Sequence, residues 1–287
     1  MTRMSTTQPA SSPDRDLDVD VTELLEALAD EVKKDLDEDI EVIDSGTEFP
    51  SKVYTDVPKW VRINDVVAVF GDLRNSTGLS VNHYAKSTAH IYEAATGGMV
   101  QAFSAFVPDF IDIQGDGVFG IFAGARRYER AMCAAITLRT FSEHVLVPQL
   151  HGRLPQKPPQ TGIKIGVAAG HVLVKKIGVR GANEPVWAGR PVNFAAKCAQ
   201  AAEEHEVIIT GKVYEKIKSN EYLSWTCGCP TGASYSKIWH AKTVSTLPAD
   251  TGTAYRMNAR GWCDEHGAEF CTAILDGDTS RGLGYAA

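Results

Sequence analysis

The sequence predicts an α+β domain around one mixed, largely antiparallel β-sheet, and three observations carry this prediction. Short apolar runs typical of buried strands recur along the chain, for example at 66–71 and 207–209. The segment from Phe110 to Phe122 has a Gly-Asp-Gly turn between two apolar halves, which is a hairpin signal. Segments with apolar residues at helical spacing lie between these strands. The predicted order is β-α-α-β-β-α-β-β-α-β, with helices and strands mixed in one α+β domain.

The predicted elements follow the spacing of the apolar residues. From Val21 to Ile40, residues such as Leu24, Leu28 and Val32 recur at helical spacing. This first stripe would pack on the core of the same chain or on a second copy, and the sequence leaves both possibilities open. A loop over 44–65 leads to the first strand. Further helices are predicted at 81–106, 125–146, 191–202 and 212–217, a proline-rich connector at 151–160, and a strand pair with a glycine turn at 163–174.

Composition and charge exclude several classes of protein. The chain has 287 residues and a formal net charge of −7, and it contains no apolar run of about 18 residues that could span a membrane. No basic stripe compensates the negative charge, which argues against nucleic-acid binding. Residues 1–18 are rich in Ser, Thr, Pro and charge and lack a signal-peptide core, so we expect a disordered leader and a cytoplasmic protein. The six cysteines then fit thiols or metal ligands better than a disulfide frame.

Two aspartates stand in apolar surroundings, where a carboxylate is costly unless positive charge compensates it. Asp72 ends the run that starts at Val66, and Asp116 lies in the run from Ile111 to Phe119. Either residue alone would be interpreted as a strand-end aspartate that caps a turn. A pair of them is the usual protein contribution to a magnesium or manganese site that holds a phosphate chain.

The polar turn after Asp72 strengthens that interpretation. It contains Arg74, Asn75, Ser76 and Thr77 and leads into a helical pattern. Ser76 or Thr77 can cap that helix, whose backbone N–H groups then face the same place as Asp72. A metal ligand, an anion-binding helix start and a second aspartate together predict a nucleoside triphosphate site.

A second informative run is the glycine-rich segment 181–197. Asn193 and Lys197 lie four residues apart on the predicted helix and therefore share one of its faces. An amide and an ammonium on one face suit a ribose and a phosphoryl oxygen. A solvated helix face is the simpler interpretation of such a pair, but the neighbouring Ala195 and Ala196 indicate close packing.

Together these motifs resemble the class III nucleotidyl cyclase catalytic domain over roughly 64–217. The segment from Phe70 to Leu73 is similar to the first metal-aspartate motif of that family, and Gly115-Asp116 is similar to the second. The segment from Val192 to Lys197 resembles the helix whose asparagine orients the ribose and whose arginine stabilises the transition state. Each motif alone is weak, whereas three in this order and spacing are specific.

The resemblance implies a ferredoxin-like fold and a head-to-tail homodimer with two composite active sites. In each site, Asp72, Leu73 and Asp116 of one chain would bind two divalent cations, Mn²⁺ or Mg²⁺. Asn193 and Lys197 of the other chain would contact the nucleotide. The ribose 3′-oxygen would attack the α-phosphorus, and pyrophosphate would leave. The polar turn after the first aspartate would hold the β- and γ-phosphates through its backbone N–H groups.

Three departures from the family pattern bear on the base and the transition state. Purine cyclases of this family have a lysine four residues before the second aspartate, where this chain has Asp112. The polar partner of that lysine is replaced by Val186. Because a site built to hydrogen-bond one base rejects another, these changes should alter substrate choice strongly. Lys197 stands in place of the family's arginine, which keeps the charge but loses the two-pronged guanidinium.

With these departures and its tail segment 261–267, the chain looks like the pyrimidine cyclases of the bacterial Pycsar antiphage systems. That resemblance implies conversion of UTP or CTP to a 3′,5′-cyclic monophosphate that activates a separate effector, and we favour UTP. Tyr54 is a candidate to stack on the base or narrow its pocket, with a surface tyrosine as an equal alternative. A purine cyclase, or a degenerate cyclase domain that acts as a nucleotide sensor, is the alternative function.

The C-terminal part of the chain has its own cluster of sulfur and nitrogen ligands. Cys227, Cys229, Cys263, His266 and Cys271 could supply a zinc site, but their spacings do not form a paired C-x-x-C set. We interpret the cysteines as buried thiols, with structural zinc as the alternative. The predicted divisions are a leader (1–18), an N-terminal helix and connector (19–60), a cyclase catalytic domain (61–220) and a C-terminal addition packed on it (221–287).

Overall fold

The computed structural model describes residues 19–50, 59–81, 85–153, 160–179, 182–230 and 233–282. The predictions for the leader and for Tyr54 therefore lie outside the described residues. The chain divides into two compact units, one up to Glu41 and one from Val42 onward. The first contains α1 (Val21–Asp37), which begins after Asp20, whose carboxylate accepts hydrogen bonds from two backbone N–H groups of the first turn.

The second unit contains the sheet and the remaining helices. Its strands are β1 (Val42–Asp44), β2 (Trp60–Leu73), β3 (Phe110–Gln114), β4 (Gly117–Phe122), β5 (Ile163–Val179), β6 (Ala182–Gly189), β7 (Val207–Ile209), β8 (Trp239–Lys242) and β9 (Ala254–Met257). Its α-helices are α2 (Ser76–Val81), α3 (Ala85–Ser104), α4 (Arg127–Phe141), α5 (Val147–Arg153), α6 (Arg190–Ala201), α7 (Gly211–Ile217), α8 (Glu221–Ser224) and α9 (Gly267–Asp276). Among the described residues, no helix is both long and apolar enough to cross a membrane.

The strand order confirms the predicted α+β class and the mostly antiparallel sheet. The strands run β3-β4-β2-β5-β7-β9-β8, with β1 paired to β2 and β6 paired to β5. The central strand β2 is antiparallel to both β4 and β5. Helix α3 connects β2 to β3, and α4 lies between β4 and β5. This βαββαβ arrangement is the ferredoxin-like fold.

Both faces of β2 are buried, which explains its continuous apolar run. Val67 and Val69 face the cluster formed with α3 and α4. Val66 and Ala68 face the opposite cluster, to which α6 contributes Ala195. Full burial of a valine side chain stabilises the fold by about 1.5–3 kcal/mol, so this strand is a rigid base for the residues at its end.

The predicted strand pair at 163–174 is wrong, because the structure has one continuous strand, β5. Gly170 pairs with Val66 inside the sheet and makes no turn. The glycines of this strand serve close packing instead. A Cβ added at Gly166 would lie 1.9 Å from the Ala195 carbonyl oxygen of α6. Glycine in a strand interior can mark such a close backbone approach. Here Gly166 allows α6 to pack directly on the sheet.

The start of β5 is fixed by a buried serine. Ser142 opens a π-helical turn, Ser142–Leu146, after α4. Its Oγ accepts a 2.6 Å hydrogen bond from the Ile163 backbone N–H and lies 2.8 Å from His205 Nδ1. The His205 backbone N–H in turn donates to the Ile163 carbonyl at 3.0 Å. The backbone N–H and carbonyl of Ile163, the first residue of β5, are therefore both hydrogen-bonded, which fixes the backbone next to Lys164.

Candidate active site

Strand β2 and the β3–β4 hairpin bring the two predicted aspartates to adjoining strand ends. Asp72 pairs with Gly117 in the β2–β4 ladder, and Asp116 directly precedes Gly117 in the hairpin turn. Gly115 has a φ of +65°, a conformation that favours glycine. A Cβ at Gly117 would lie 2.8 Å from the Phe70 ring, so a side chain there would require the ring to shift. The Gly-Asp-Gly sequence thus places the second carboxylate next to the first.

A lysine that the sequence did not indicate completes this corner of the sheet. Lys164 pairs with Asp72 in the β2–β5 ladder. Its Nζ lies 2.7 Å from Asp72 Oδ2, and the two side chains are only 16% and 25% exposed. The signal in the sequence was a single cation in an apolar run, but the prediction of a hairpin there hid its register with β2. Lys164 supplies the positive charge that a partly buried carboxylate requires.

The donor set at these strand ends fits divalent cations. The carboxylates of Asp72 and Asp116 and the backbone carbonyl of Leu73 are hard oxygen ligands, which Mg²⁺ and Mn²⁺ prefer. The Asp72 carboxylate already pairs with one cationic group, the Lys164 ammonium, at this position. The residues present therefore fit the implied pair of metal ions.

The Arg74 side chain faces away from the aspartates. Its guanidinium forms ion pairs with Glu203 and Glu204, which follow α6. Its backbone N–H donates to the Gly162 carbonyl at 2.9 Å. The arginine therefore ties the turn to the loop before β7, and both its guanidinium and its backbone N–H have partners within the chain.

The predicted helix cap after Asp72 is also different in the structure. Helix α2 begins at Ser76, so neither Ser76 nor Thr77 precedes it as a cap. The preceding residue, Asn75, has a left-handed φ of +58°, and its side-chain amide donates to the Gln160 carbonyl at 2.5 Å. Asparagine tolerates this conformation, so it makes the sharp turn between β2 and α2.

The second predicted half of the site lies on α6. Asn193 is exposed and Lys197 is partly buried, and both line an open cavity of about 630 Å³ on the outer side of the helix. The Lys197 Nζ lies 5.8 Å from the centroid of the Phe194 ring, within range of a cation–π interaction. His171 and Arg190, which the sequence did not single out, line the same cavity. The cavity thus combines an amide with the cationic side chains of Arg190 and Lys197, which suits an anionic ligand.

Within one chain, the aspartate pair and the beginning of α6 lie at different positions along β5. The aspartate pair adjoins Lys164, near the start of the strand. The beginning of α6 lies over Gly170, where an added Cβ would be 3.2 Å from the Pro191 ring. Six residues of an extended strand cover roughly 20 Å. Asn193 is two residues after Pro191, so it lies far from the carboxylates of its own chain.

The residues predicted to affect base choice lie on different strands. Asp112 is on β3 and pairs with Phe119. Val186 is on β6, pairs with Lys175 and is 42% exposed. Because side chains alternate along a strand, Val186 points away from the face on which its neighbour Trp187 packs.

An aromatic group beside Asp112 was missed by the sequence reasoning. The Trp187 ring lies 5.0 Å from the Phe110 ring, which in turn lies 5.6 Å from Phe119. The Trp187 Nε1 is buried and has no hydrogen-bond partner among the described residues. These rings share a sheet face with Asp112 by strand alternation, so they form the apolar wall next to it.

The fold and this arrangement of groups define a class of protein. A ferredoxin-like sheet with two aspartates at adjoining strand ends, and a helix that presents an amide and an ammonium, are typical of a nucleotide cyclase.

Comparison with known proteins identifies the family. The chain belongs to the adenylate and guanylate cyclase catalytic domain family, whose model matches residues 59–228. It is 42% identical over 268 residues to a uridylate cyclase of Micromonospora echinofusca, covering 92% of this chain and 87% of that protein. It is 42% identical over 277 residues to a uridylate cyclase of Propioniciclava tarda, covering 93% and 88%.

A solved structure agrees with the fold. The adenylyl cyclase CyaB from P. aeruginosa matches with a TM-score of 0.56 at 20% identity, covering 69% of this chain and 95% of that one. The predicted resemblance to class III cyclases is thereby confirmed, and the protein is an enzyme, a lyase of the nucleotide cyclase type.

Proposed function

We propose that this protein is a uridylate cyclase that converts UTP to 3′,5′-cyclic UMP and pyrophosphate. The observation that carries the proposal is the pair Asp72 and Asp116 at adjoining strand ends, in a chain 42% identical to proteins named uridylate cyclases. A domain that had become a nucleotide sensor would be expected to lose one of these carboxylates. This chain retains both.

The reaction forms the bond between the ribose 3′-oxygen and the α-phosphorus and breaks the bond from that phosphorus to the bridging oxygen. The 3′-hydroxyl loses its proton, and pyrophosphate leaves in line. Two divalent cations, Mn²⁺ or Mg²⁺, held by Asp72, Asp116 and the Leu73 carbonyl would lower the pKa of that hydroxyl and neutralise phosphate charge.

The side chains of the chain itself position the nucleotide and stabilise the developing charge. Lys164 adjoins the carboxylates and would contact a phosphate once the Asp72 charge is shared with other cations. Asn193 orients the ribose, and Lys197 places its ammonium near the charge that accumulates on the α-phosphoryl group. Backbone N–H groups at Ser76 and Thr77 contact the β- and γ-phosphates.

The active form is a homodimer with composite sites. The support for this proposal is the separation within one chain, since the beginning of α6, which carries Asn193, lies over Gly170 in the middle of β5, whereas Asp72 pairs with Lys164 near the start of that strand. A two-fold dimer in head-to-tail orientation brings the carboxylates of one copy to Asn193 and Lys197 of the other, twice.

Base selection follows from the groups that replace the purine contacts. The Asp112 carboxylate offers hydrogen-bond acceptors in place of a lysine donor, and Val186 offers no polar group, so the pair that would read adenine is absent. Uracil presents a ring N–H donor, which an acceptor carboxylate can bind. Cytosine also presents an amino donor, so we favour UTP over CTP on the names of the relatives. The product would serve as a second messenger that activates a separate effector in antiphage defence.

Incubation of the full chain with each of the four ribonucleoside triphosphates and Mn²⁺ tests the proposal, with products separated by mass. We expect cyclic UMP and pyrophosphate from the wild type and none from Asp72→Ala. Asp276→Ala, which removes an exposed carboxylate on α9, is the matched control and should keep full activity. A cyclic purine product would overturn the base assignment, and no product from any nucleotide would favour the sensor function.

A further inference from the structure

Two separate segments of the C-terminal addition bring three thiols and an imidazole together. Cys227 and Cys229 follow α8, whereas Cys263 and His266 precede α9. One ligand atom from each of the four residues lies within 4.8 Å of every other. We refer to these four residues as the Cys/His cluster.

The distances within the Cys/His cluster match the edges of a metal-centred tetrahedron. Zinc binds sulfur at about 2.3 Å and nitrogen at about 2.1 Å, so a tetrahedral site has edges of about 3.8 Å between sulfurs and about 3.6 Å between sulfur and nitrogen. The Sγ atoms of Cys229 and Cys263 are 3.5 Å apart. His266 Nδ1 lies 3.2 Å from Cys227 Sγ and 3.9 Å from Cys263 Sγ.

Disulfides do not account for this arrangement. The Sγ–Sγ distance of 3.5 Å is far above the roughly 2.05 Å of a disulfide, and none of the six cysteines, all of which lie in the described residues, forms one. Cys271, the fifth predicted ligand, contacts Cys133 in the core instead. Cys133, which is buried, and Cys271, which is partly buried, therefore form a simple thiol pair without an imidazole or further ligands beside it among the described residues.

The backbone around the Cys/His cluster is built to hold the first two ligands in a tight loop. Gly228, between the two cysteines, has a φ of +74° and donates its N–H to the Ala233 carbonyl at 3.0 Å. This left-handed glycine reverses the chain so that both sulfurs point to one side.

The second pair of ligands is anchored on α4. The Trp262 backbone N–H donates to Thr140 Oγ1 at 3.0 Å, and its indole N–H donates to Thr137 Oγ1 at 2.8 Å. The Gly267 N–H donates to the Cys263 carbonyl at 2.8 Å, which folds Cys263 and His266 into one turn. Helix α4 packs on β2 and β5, so these ligands are fixed relative to the catalytic sheet.

We propose that Cys227, Cys229, Cys263 and His266 bind one structural zinc ion that joins the two segments of the C-terminal addition, the second of which is anchored on α4. Four protein ligands close the coordination sphere, so the ion has no open position for a substrate or a water. The spacing of the ligands in the sequence did not favour a zinc site, because Cys227 and Cys229 form a C-x-C pair and Cys263 lies 34 residues after Cys229.

Metal analysis of the full chain, purified with a tag that contains no histidine, tests the proposal. We expect about one zinc per chain after dialysis, and near-complete loss of zinc in Cys229→Ser and His266→Ala. Cys271→Ser is the matched control and should keep its zinc, because that residue faces Cys133. Another metal at stoichiometric level, no metal, or a mass that shows a disulfide within the cluster would overturn the proposal.

Cobalt substitution keeps the test decisive if the variants fail to fold. Wild-type protein produced with cobalt in place of zinc should show the intense visible bands of tetrahedral cobalt and a thiolate charge-transfer band. Chelation should lower the thermal midpoint of the wild type, and zinc should restore it while Mn²⁺ or Mg²⁺ should not. Octahedral cobalt spectra, or restoration by Mg²⁺ alone, would contradict a Cys₃His site and would leave the cyclase activity a separate question.

Discussion

The close packing of α6 on β5 at Gly166 allows a quantitative prediction for Gly166→Ala. The new Cβ would lie 1.9 Å from the Ala195 carbonyl oxygen and 2.5 Å from the Ala199 nitrogen. Real Cβ contacts do not fall below 3.0 Å, so the backbone of α6 must withdraw by about 1 Å. Such overpacking costs about 1–3 kcal/mol of stability. A domain of this size is stable by about 5–15 kcal/mol, so the variant remains folded.

The displacement should affect activity far more than stability, because α6 carries Asn193 and Lys197. A misplacement of about 1 Å can lower a rate on the order of 100-fold. The assay is the initial rate of cyclic nucleotide formation, with urea denaturation of the same preparation. Gly97→Ala is the control, since nothing lies within 4 Å of its Cβ, and it should gain about 0.5–1 kcal/mol and keep its rate. A folded Gly166→Ala with wild-type turnover would refute the reasoning.

Three further predictions concern charged groups. Lys164→Ala leaves Asp72 without its ion-pair partner and should lower turnover at least about 10-fold, a loss of about 1.4 kcal/mol of transition-state stabilisation. Lys164→Arg keeps the charge and should retain most of the turnover. Equal rates of the two variants would contradict a role for the Lys164 charge. Lys197→Ala should lower kcat with little change in KM, as expected for a group that acts on the transition state; a rise in KM alone would argue against it. Burial raises the pKa of Asp65, but the hydrogen bonds from Arg127 and the ion pairs around it lower the pKa more strongly. Its ionised form therefore stabilises the fold above about pH 4, and this contribution is lost as the pH falls further. Urea denaturation from about pH 7 to about pH 3 should show the free-energy difference between wild type and Asp65→Asn shrinking in acid; a difference that grows would contradict the sign.

The fold class was predictable because its signals are local. Apolar runs, helical spacing and the Gly-Asp-Gly turn lie within a few residues of one another, and the two aspartates were found from their own surroundings. The same local reasoning failed at Gly166 and Gly170, which resemble turn glycines. Their role depends on α6, which packs on the strand through Ala195 and Ala199. The position of that helix cannot be deduced from the sequence next to the two glycines.

The parts of the site that were missed depend on contacts between distant segments. Lys164 faces Asp72 only through the register of β5 on β2. The turn at Arg74 was predicted to hold the phosphates through its backbone N–H groups, and the sequence did not indicate that the guanidinium binds Glu204, 130 residues further along the chain. Spacing alone did not favour the Cys/His cluster, because α4 and α9 bring its two segments together. In each case a tertiary contact decides the role of a side chain whose chemistry was evident from the sequence.

The most direct test of the central claim is complementation between two inactive variants. Asp72→Ala and Lys197→Ala, co-expressed with different tags and purified as the mixed dimer, should contain one intact composite site. By two-fold symmetry we expect about half the wild-type rate of cyclic UMP formation from UTP, with neither variant active alone. A mixed dimer as inactive as its parents would contradict a site shared between Asp72 of one chain and Lys197 of the other.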